Sequence, residues 1–241
     1  MVATVCSRLG DTMRGDRSIL SESDDWIKAE PMSQRDALIF DIDGTLWDAS
    51  AASAKGWNRG LAKLGIDRTV SAAQIKAVAG HPFEQCLDRL FPAWRAQYPA
   101  LLQTLNEYET EAVKAEGGTF FDGVRDGIIQ LARTYQIFLV SNCQAWYLNL
   151  FLDCSGLRPV LVGVDCHGMS GLPKHEMLAR LTRTHGLINP VYIGDTANDE
   201  TAARIAGMAF IYVAWGFGKP EGEPRTVRSI AELLRDLRAG A

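Results

Sequence analysis

Ala37-Leu38-Ile39-Phe40-Asp41-Ile42-Asp43-Gly44-Thr45-Leu46 is the stretch from which the fold can be read. Its first four residues form a short apolar run of the kind found in a strand buried on both faces. Two carboxylates follow, two residues apart. On extended backbone, residues i and i+2 point the same way, so Asp41 and Asp43 can face one pocket. Like charges that close resist joint ionisation unless a cation or a shared proton relieves them. A divalent metal, and a reaction needing one ionised and one protonated Asp, would account for both residues.

Downstream the pattern turns helical. Trp57, Leu61 and Leu64 recur at helical spacing over 49–64, and Gly65 stops the run. Ser71-Ala72-Ala73-Gln74 has the form of a capping box opening a helix to Ala79. Further helices are predicted over 83–90 and 101–114, the last ended by Gly117-Gly118. So much helix is too long for a simple crossover, which predicts an all-helical lobe inserted at residues 49–119. Regular alternation then resumes: helix 123–133, strand 137–140, helix 145–152, strand 160–162, helix 174–185, strand 191–193, helix 197–206, strand 209–214 and helix 226–237. Apolar strands alternating with helices predict an α/β fold, a doubly wound parallel sheet built from 35–48 and 120–241.

The bulk properties are those of an ordinary globular chain. It has 241 residues, 47% hydrophobic and 22% charged, with a net charge of -4 and a pI near 5.6. Nothing in that balance suits nucleic acid or an anionic membrane, and no apolar stretch is long enough to span a bilayer. The five cysteines are Cys6, Cys86, Cys143, Cys154 and Cys166, an odd number without CxxC spacing. They read as thiols in a reducing, cytoplasmic compartment. Residues 1–34 are polar and aperiodic, and Arg8, Asp11 and Arg14 break any signal-peptide core. They read as a disordered extension, with Met32 as an alternative start.

In a doubly wound sheet, ligands bind beyond the carboxyl ends of the strands. Those ends carry Asp41 and Asp43, then Ser141-Asn142, then Gly194-Asp195 with Asp199 a turn later; Lys174 opens the helix before that last strand. Clustered acids suit a hard cation such as Mg2+. A hydroxyl, a lysine and backbone N–H groups suit a phosphate. Singly, each residue has a plainer reading. Asp195 could be a helix N-cap, Ser141-Asn142 a turn, Lys174 a surface lysine, and Asp48 a cap of the first lobe helix.

Taken in order, DIDGTLWD at 41–48, Ser141-Asn142, Lys174 and GDTANDE at 194–200 make the chain resemble the haloacid dehalogenase-like (HAD) superfamily of phosphatases. The stretches Val140-Ser141-Asn142-Cys143-Gln144 and Trp215-Gly216-Phe217-Gly218 are most similar to its phosphoglycolate phosphatase-like branch. The resemblance implies a Rossmann-like core with an inserted cap and an Mg2+-dependent phosphatase acting on a small phosphorylated metabolite. It implies Asp41 as nucleophile, forming an aspartyl-phosphate, and Asp43 as general acid and base. Ser141, Asn142, Lys174, Gly44 and Thr45 would serve the phosphate, with Thr45 also bracing the first loop. Asp41, the backbone carbonyl of Asp43, and Asp195 would bind the metal, with Asp199 behind them.

Within that family Asp43 discriminates. By resemblance, dehalogenases lack a carboxylate there, and phosphonate-cleaving relatives use a lobe lysine, for which Lys55, Lys63 and Lys76 would be available. The mutase relative grips a second phosphate with a lobe arginine, where Gly80-His81-Pro82-Phe83-Glu84 places Phe83, and it carries Glu-Asp in place of Gly194-Asp195. Hydrolysis is therefore the expectation, with a phosphomutase or a non-catalytic binding protein as alternatives. The lobe is expected to close over the site from hinges near Asp48 and Phe120–Gly123. Trp47, His81 and Phe83 are candidates for facing the substrate, and Trp57 for that or for the lobe core. The oligomeric state and the substrate itself are not legible.

Overall fold

The structure, a computed structural model, describes residues 37–239, with side chains to 237; the extension expected over 1–34 lies outside them. The chain runs β1 (Ala37–Phe40), β2 (Trp47–Asp48), then five helices: α1 (Ser50–Lys63), α2 (Ala72–Val78), α3 (Phe83–Leu90), α4 (Trp94–Gln97) and α5 (Leu101–Glu116). It continues through β3 (Thr119–Phe120), α6 (Val124–Leu131), β4 (Gln136–Ser141), α7 (Ala145–Ser155), β5 (Leu161–Cys166) and α8 (His167–Ser170). The last part is α9 (Lys174–His185), β6 (Val191–Gly194), α10 (Ala197–Ile205), β7 (Ala209–Val213), β8 (Arg225–Val227) and α11 (Ile230–Ala239).

Six strands form one parallel sheet in the order β5-β4-β1-β6-β7-β8. The chain leaves β1 to one side through β4 and β5, then crosses to β6, so the strand order reverses beside β1. That switch point opens a crevice at the strand ends, and Asp41 stands in it. Side chains of β1 alternate between two cores, as a two-residue period requires. Leu38 and Phe40 join Ile128, Leu148 and Leu233 on one face. Ala37 and Ile39 join Met177, Leu178 and Ala203 on the other. The sheet is covered on both faces, as all-parallel sheets are.

Helices α1–α5 gather about an apolar cluster of their own that includes Trp57, Leu61, Phe91 and Leu105. Ser71 and Gln74 complete both halves of the capping box at the start of α2. At Gly56, α1 and α5 touch backbone to backbone: a Cβ there would stand 2.6 Å from the Cα of Glu109. The absent side chain lets α1 and α5 pack in direct backbone contact. The chain enters and leaves this helical segment through β2 and β3, which pair antiparallel as a two-stranded ribbon.

Two expectations are corrected. The final helix begins at Ile230 rather than at Thr226, because Arg225–Val227 is recruited as the edge strand β8. There Val227 is buried and its carbonyl accepts from Ala214 N–H at 2.9 Å. The start signal of the helix is Ser229, whose hydroxyl accepts from Glu232 N–H at 3.1 Å. The strand expected over 160–162 begins at Leu161 and runs on to Cys166, paired with β4 along its length.

Candidate active site

Asp41 ends β1 and is wholly buried. The Lys174 ammonium lies 3.1 Å from its Oδ1, while its Oδ2 is buried with no hydrogen-bond partner. Lys174, at the first position of α9, is 3% exposed and also donates to Asp199 Oδ1 at 2.6 Å. Burial opposes its charge, yet Asp199 and Asp41 together hold its pKa above the ordinary lysine value. Asp41 goes the other way: burial, with Asp199 adding to it, raises its carboxyl to about 6 against the pull of Lys174.

Asp195 follows β6 and is fully buried. Its Oδ1 accepts from the Thr45 hydroxyl at 3.2 Å and its Oδ2 from Phe217 N–H at 2.7 Å. Burial and the nearby Asp199 and Asp41 raise its pKa to about 8. Asp199 completes a capping box with Thr196 at the start of α10. Its two oxygens accept from Lys174, the Tyr192 hydroxyl, Asp195 N–H, Thr196 N–H and the Thr196 hydroxyl. Asp199 is thus saturated by donors, and its part is to hold Lys174 and the turn after β6.

Asp41, Asp195 and Asp199 each offer an oxygen within 4.8 Å of the others. Three buried carboxylates meet one ammonium, two of them have raised pKa values, and Asp41 keeps an unpartnered oxygen. Such a donor set fits a hard divalent cation held by Asp41 and Asp195, each of which retains lone pairs to give.

The first loop is shaped around this cluster. Gly44 has a φ of 78°, and a Cβ on it would overlap Asp195 Oδ2. Its N–H donates to Trp47 O at 3.1 Å and that of Thr45 to Ile42 O at 3.2 Å. With the Thr45 hydroxyl on Asp195, the donors expected to serve a phosphate from Gly44 and Thr45 are already taken within the protein. Ser141, 3% exposed at the end of β4, accepts from Cys143 N–H at 3.3 Å. Asn142 Nδ2 donates one of its two protons to Gly80 O of the helical segment at 2.8 Å. Asn198 Nδ2 donates to the same carbonyl at 2.7 Å.

Asp43 is tied to α7. Its Oδ1 accepts a short hydrogen bond from the Tyr147 hydroxyl, which in turn accepts from Trp47 Nε1 at 3.0 Å. Burial raises the Asp43 pKa to about 7, with Asp41 and Glu109 adding and Tyr147 opposing. Trp47 was expected among the residues facing a substrate; it is instead fully buried, packed on Phe120, Tyr147 and Phe151. Tyr147, on α7, carried no signal in the sequence beyond an apolar helix face.

A cavity of about 80 Å³ lies between Asp43 and Ser141 below and the helical segment above. His81 and Phe83 line it, as does Trp57, which also packs in the helical cluster. So does Glu109 of α5, a buried acid that the sequence reading passed over because it sits among several exposed glutamates. Besides the Gly80 clamp, Trp146 Nε1 donates to Asn106 Oδ1 across the same boundary at 3.2 Å. Asp48 accepts from Ser50 N–H at 2.9 Å and pairs with Lys76 at 2.6 Å, as befits a residue at the entrance to α1.

Comparison with known proteins gives this arrangement a lineage. The profile of the haloacid dehalogenase-like hydrolase family matches residues 38–213. The chain belongs to the haloacid dehalogenase-like hydrolases. Within that family it is 32% identical to the phosphoglycolate phosphatase of Chromobacterium violaceum, over 85% of this chain and 97% of that one. It is 29% identical to the phosphoglycolate phosphatase of Synechococcus elongatus, over 75% and 84%. Its fold is that of a haloacid dehalogenase-like hydrolase from Streptococcus pneumoniae, with a TM-score of 0.72 over 86% of this chain and all of that one, at 20% identity. The chain is a phosphoric monoester hydrolase of this family. Among the described residues, no helix is long and apolar enough to cross a membrane.

Proposed function

We propose that the chain hydrolyses a small phosphorylated metabolite in two steps, through an aspartyl-phosphate on Asp41, with Mg2+ as cofactor. The observation that carries this is the inequality of the two aspartates. Asp41 has a free buried oxygen beside Lys174, whereas Asp43 is tied to Tyr147 at the mouth of the cavity with its pKa raised to about 7.

In the first step an Asp41 oxygen bonds to phosphorus as the bond to the leaving oxygen breaks, and Asp43 gives that oxygen its proton. In the second, Asp43 takes a proton from water, the water oxygen bonds to phosphorus, and the Asp41–phosphorus linkage breaks. Lys174 and Ser141 hold the phosphoryl oxygens throughout. Asp199 positions Lys174. Asp41, the Asp43 carbonyl and Asp195 would hold Mg2+, which when bound offsets the charge of the carboxylates and of the phosphoryl group. Gly44 and Thr45 act by shaping the loop against Asp195.

Residues 49–119 are read as a cap that closes over this chemistry on the β2–β3 ribbon, with 35–48 and 120–241 as the catalytic core. The clamp of Asn142 and Asn198 on Gly80 holds the closed form. The relatives' names make phosphoglycolate the reference substrate. The thiols of Cys86, Cys143 and Cys166 suit a cytoplasmic site of action.

The test is hydrolysis of p-nitrophenyl phosphate by wild type and Asp41→Asn, with Mg2+ and with EDTA, and acid-quench trapping of phosphoenzyme. Metal-dependent turnover and an acid-stable phosphoenzyme, both lost in Asp41→Asn, are expected. Full activity in Asp41→Asn, or no metal-dependent hydrolysis of any phosphate ester, would end this reading.

A further inference from the structure

The wall of the cavity beside Asp43 is acidic and aromatic. Among the described residues, no lysine or arginine lines it. Its acids are Asp43 and Glu109. The one imidazole, His81, has its pKa lowered, chiefly by burial, and is neutral near pH 7. Lys76, on the neighbouring helix α2, is paired with Asp48 and lies over the Phe217 ring. Lys174 is committed to Asp41 and Asp199.

One acceptor on this wall lacks a donor, and a buried acid stands with it. Asn142 gives its Nδ2 to Gly80 O, which leaves its Oδ1 buried without a partner. Glu109 is buried beside Ser53 and Trp57, and burial raises its pKa against their hydrogen bonds. The apolar surface is mostly ring, from Trp57, Phe83, Trp146, Tyr147 and Phe217, with Ile75 and Val78 beside them and Ser50, Ser53 and Gln144 as the neutral polar groups. Such walls favour C–H groups and cations, and among the described residues they bring no positive side chain to an anion.

We infer that this pocket takes a small alcohol leaving group that donates hydrogen bonds and carries no negative charge, so that the substrate is a polyol or amino-alcohol phosphate rather than a carboxylated ester, with Glu109 as the specificity residue. The inference rests on the phosphatase reading above and departs from the substrate named for the relatives. A hydroxyl or ammonium can donate to Asn142 Oδ1 and Glu109. A carboxylate would face Glu109 with no lysine or arginine in the lining to relieve it, and would leave Asn142 Oδ1 unmet. The cavity volume of about 80 Å³ restricts the group to a few non-hydrogen atoms.

Three esters of matched two-carbon alcohols test it: 2-hydroxyethyl phosphate, phosphoethanolamine and 2-phosphoglycolate. They differ in ending with a hydroxyl, an ammonium and a carboxylate. In wild type, kcat/KM for the better of the first two should exceed that for phosphoglycolate by about tenfold or more, the scale of an unrelieved like-charge contact in a partly wet site. Glu109→Gln should narrow that ratio by raising phosphoglycolate turnover relative to the others. Phosphoglycolate as the equal or better substrate of wild type overturns the inference, whether or not the variant folds. So does a folded Glu109→Gln with an unchanged ratio, or hydrolysis of p-nitrophenyl phosphate with none of the three esters. Absence of p-nitrophenyl phosphate hydrolysis as well would instead remove the phosphatase reading on which the inference stands.

Discussion

Replacing Tyr147 by phenylalanine takes away one oxygen that lies between two buried groups. That oxygen donates to Asp43 and accepts from Trp47 Nε1 at 3.0 Å. A hydrogen bond to a charged acceptor contributes about 1.5–3 kcal/mol. If the bond holds Asp43 in line with the leaving oxygen, its loss lowers kcat/KM by roughly 10- to 150-fold. Trp47 Nε1 then becomes a buried donor without an acceptor, a cost of about 1–3 kcal/mol, which lowers Tm by roughly 2–12 °C in a chain of this size. The pH profile also has a sign. The Tyr147 hydroxyl opposes the rise of the Asp43 pKa to about 7, so removing it lets that pKa climb. The acid form needed in the first step then persists to higher pH, and the alkaline fall of kcat/KM moves upward. Tyr147 itself stays protonated throughout, because burial and Asp43 hold its pKa well above the ordinary value. Steady-state kinetics from pH 5 to 9 and a thermal melt on Tyr147→Phe cover all three effects. A folded variant with wild-type kcat/KM and an unmoved alkaline limb would refute the positioning role; a lower Tm alone would leave Tyr147 a packing residue.

Four further outcomes are expected. Metal should stabilise the fold: Mg2+ at about 100 times its Kd adds roughly 2.7 kcal/mol, or about 5–11 °C in Tm, and Asp195→Asn should show no such increment. Metal-free protein should lose stability as pH rises. Asp41, Asp43 and Asp195 sit at about 6, 7 and 8 in the folded chain against a reference value of 3.8, so the folded state holds protons that the unfolded state has released. Their contribution is present below about pH 4 and is gone above about pH 8, and urea titrations in EDTA across that window that rise with pH would contradict it. Gly56→Ala places a Cβ 2.6 Å from the Glu109 backbone and should cost about 1–3 kcal/mol, read from the urea midpoint; an unshifted midpoint would mean that α1 and α5 are not so closely packed. Removing both donors to Gly80 O, as Asn142→Ala with Asn198→Ala, should weaken closure by about 1–3 kcal/mol and raise KM, and an unchanged KM would dispose of the clamp.

Much of the architecture was open to reading because it rests on local pattern. Lys174 to His185 has the same bounds in sequence and structure, since Pro173 starts the helix and Gly186 stops it. Asp41 and Asp43 stand out because an apolar run ends in two acids. The ribbon of β2 and β3 and the edge strand β8 did not stand out. At two or three residues they carry no period, and they exist only because a partner strand lies alongside. The donors of Gly44 and Thr45, expected to serve a phosphate, met the same obstacle. Residue type shows that a donor is available, but only the folded chain decides which acceptor it reaches first.

The sequence alone thus determined the α/β alternation, the inserted helical segment and the set of residues carried to the strand ends. All of these follow from periodicity, caps and the order of motifs along the chain. Tertiary structure decided how those residues are shared out. Lys174 comes to Asp41 and Asp199 from another helix, and Tyr147 reaches Asp43 across 104 residues. Trp47 is turned into the core, and Glu109 is turned into the cavity from the helical segment. Burial and charge at contact distance depend on what packs against what, and no stretch of sequence carries that information by itself.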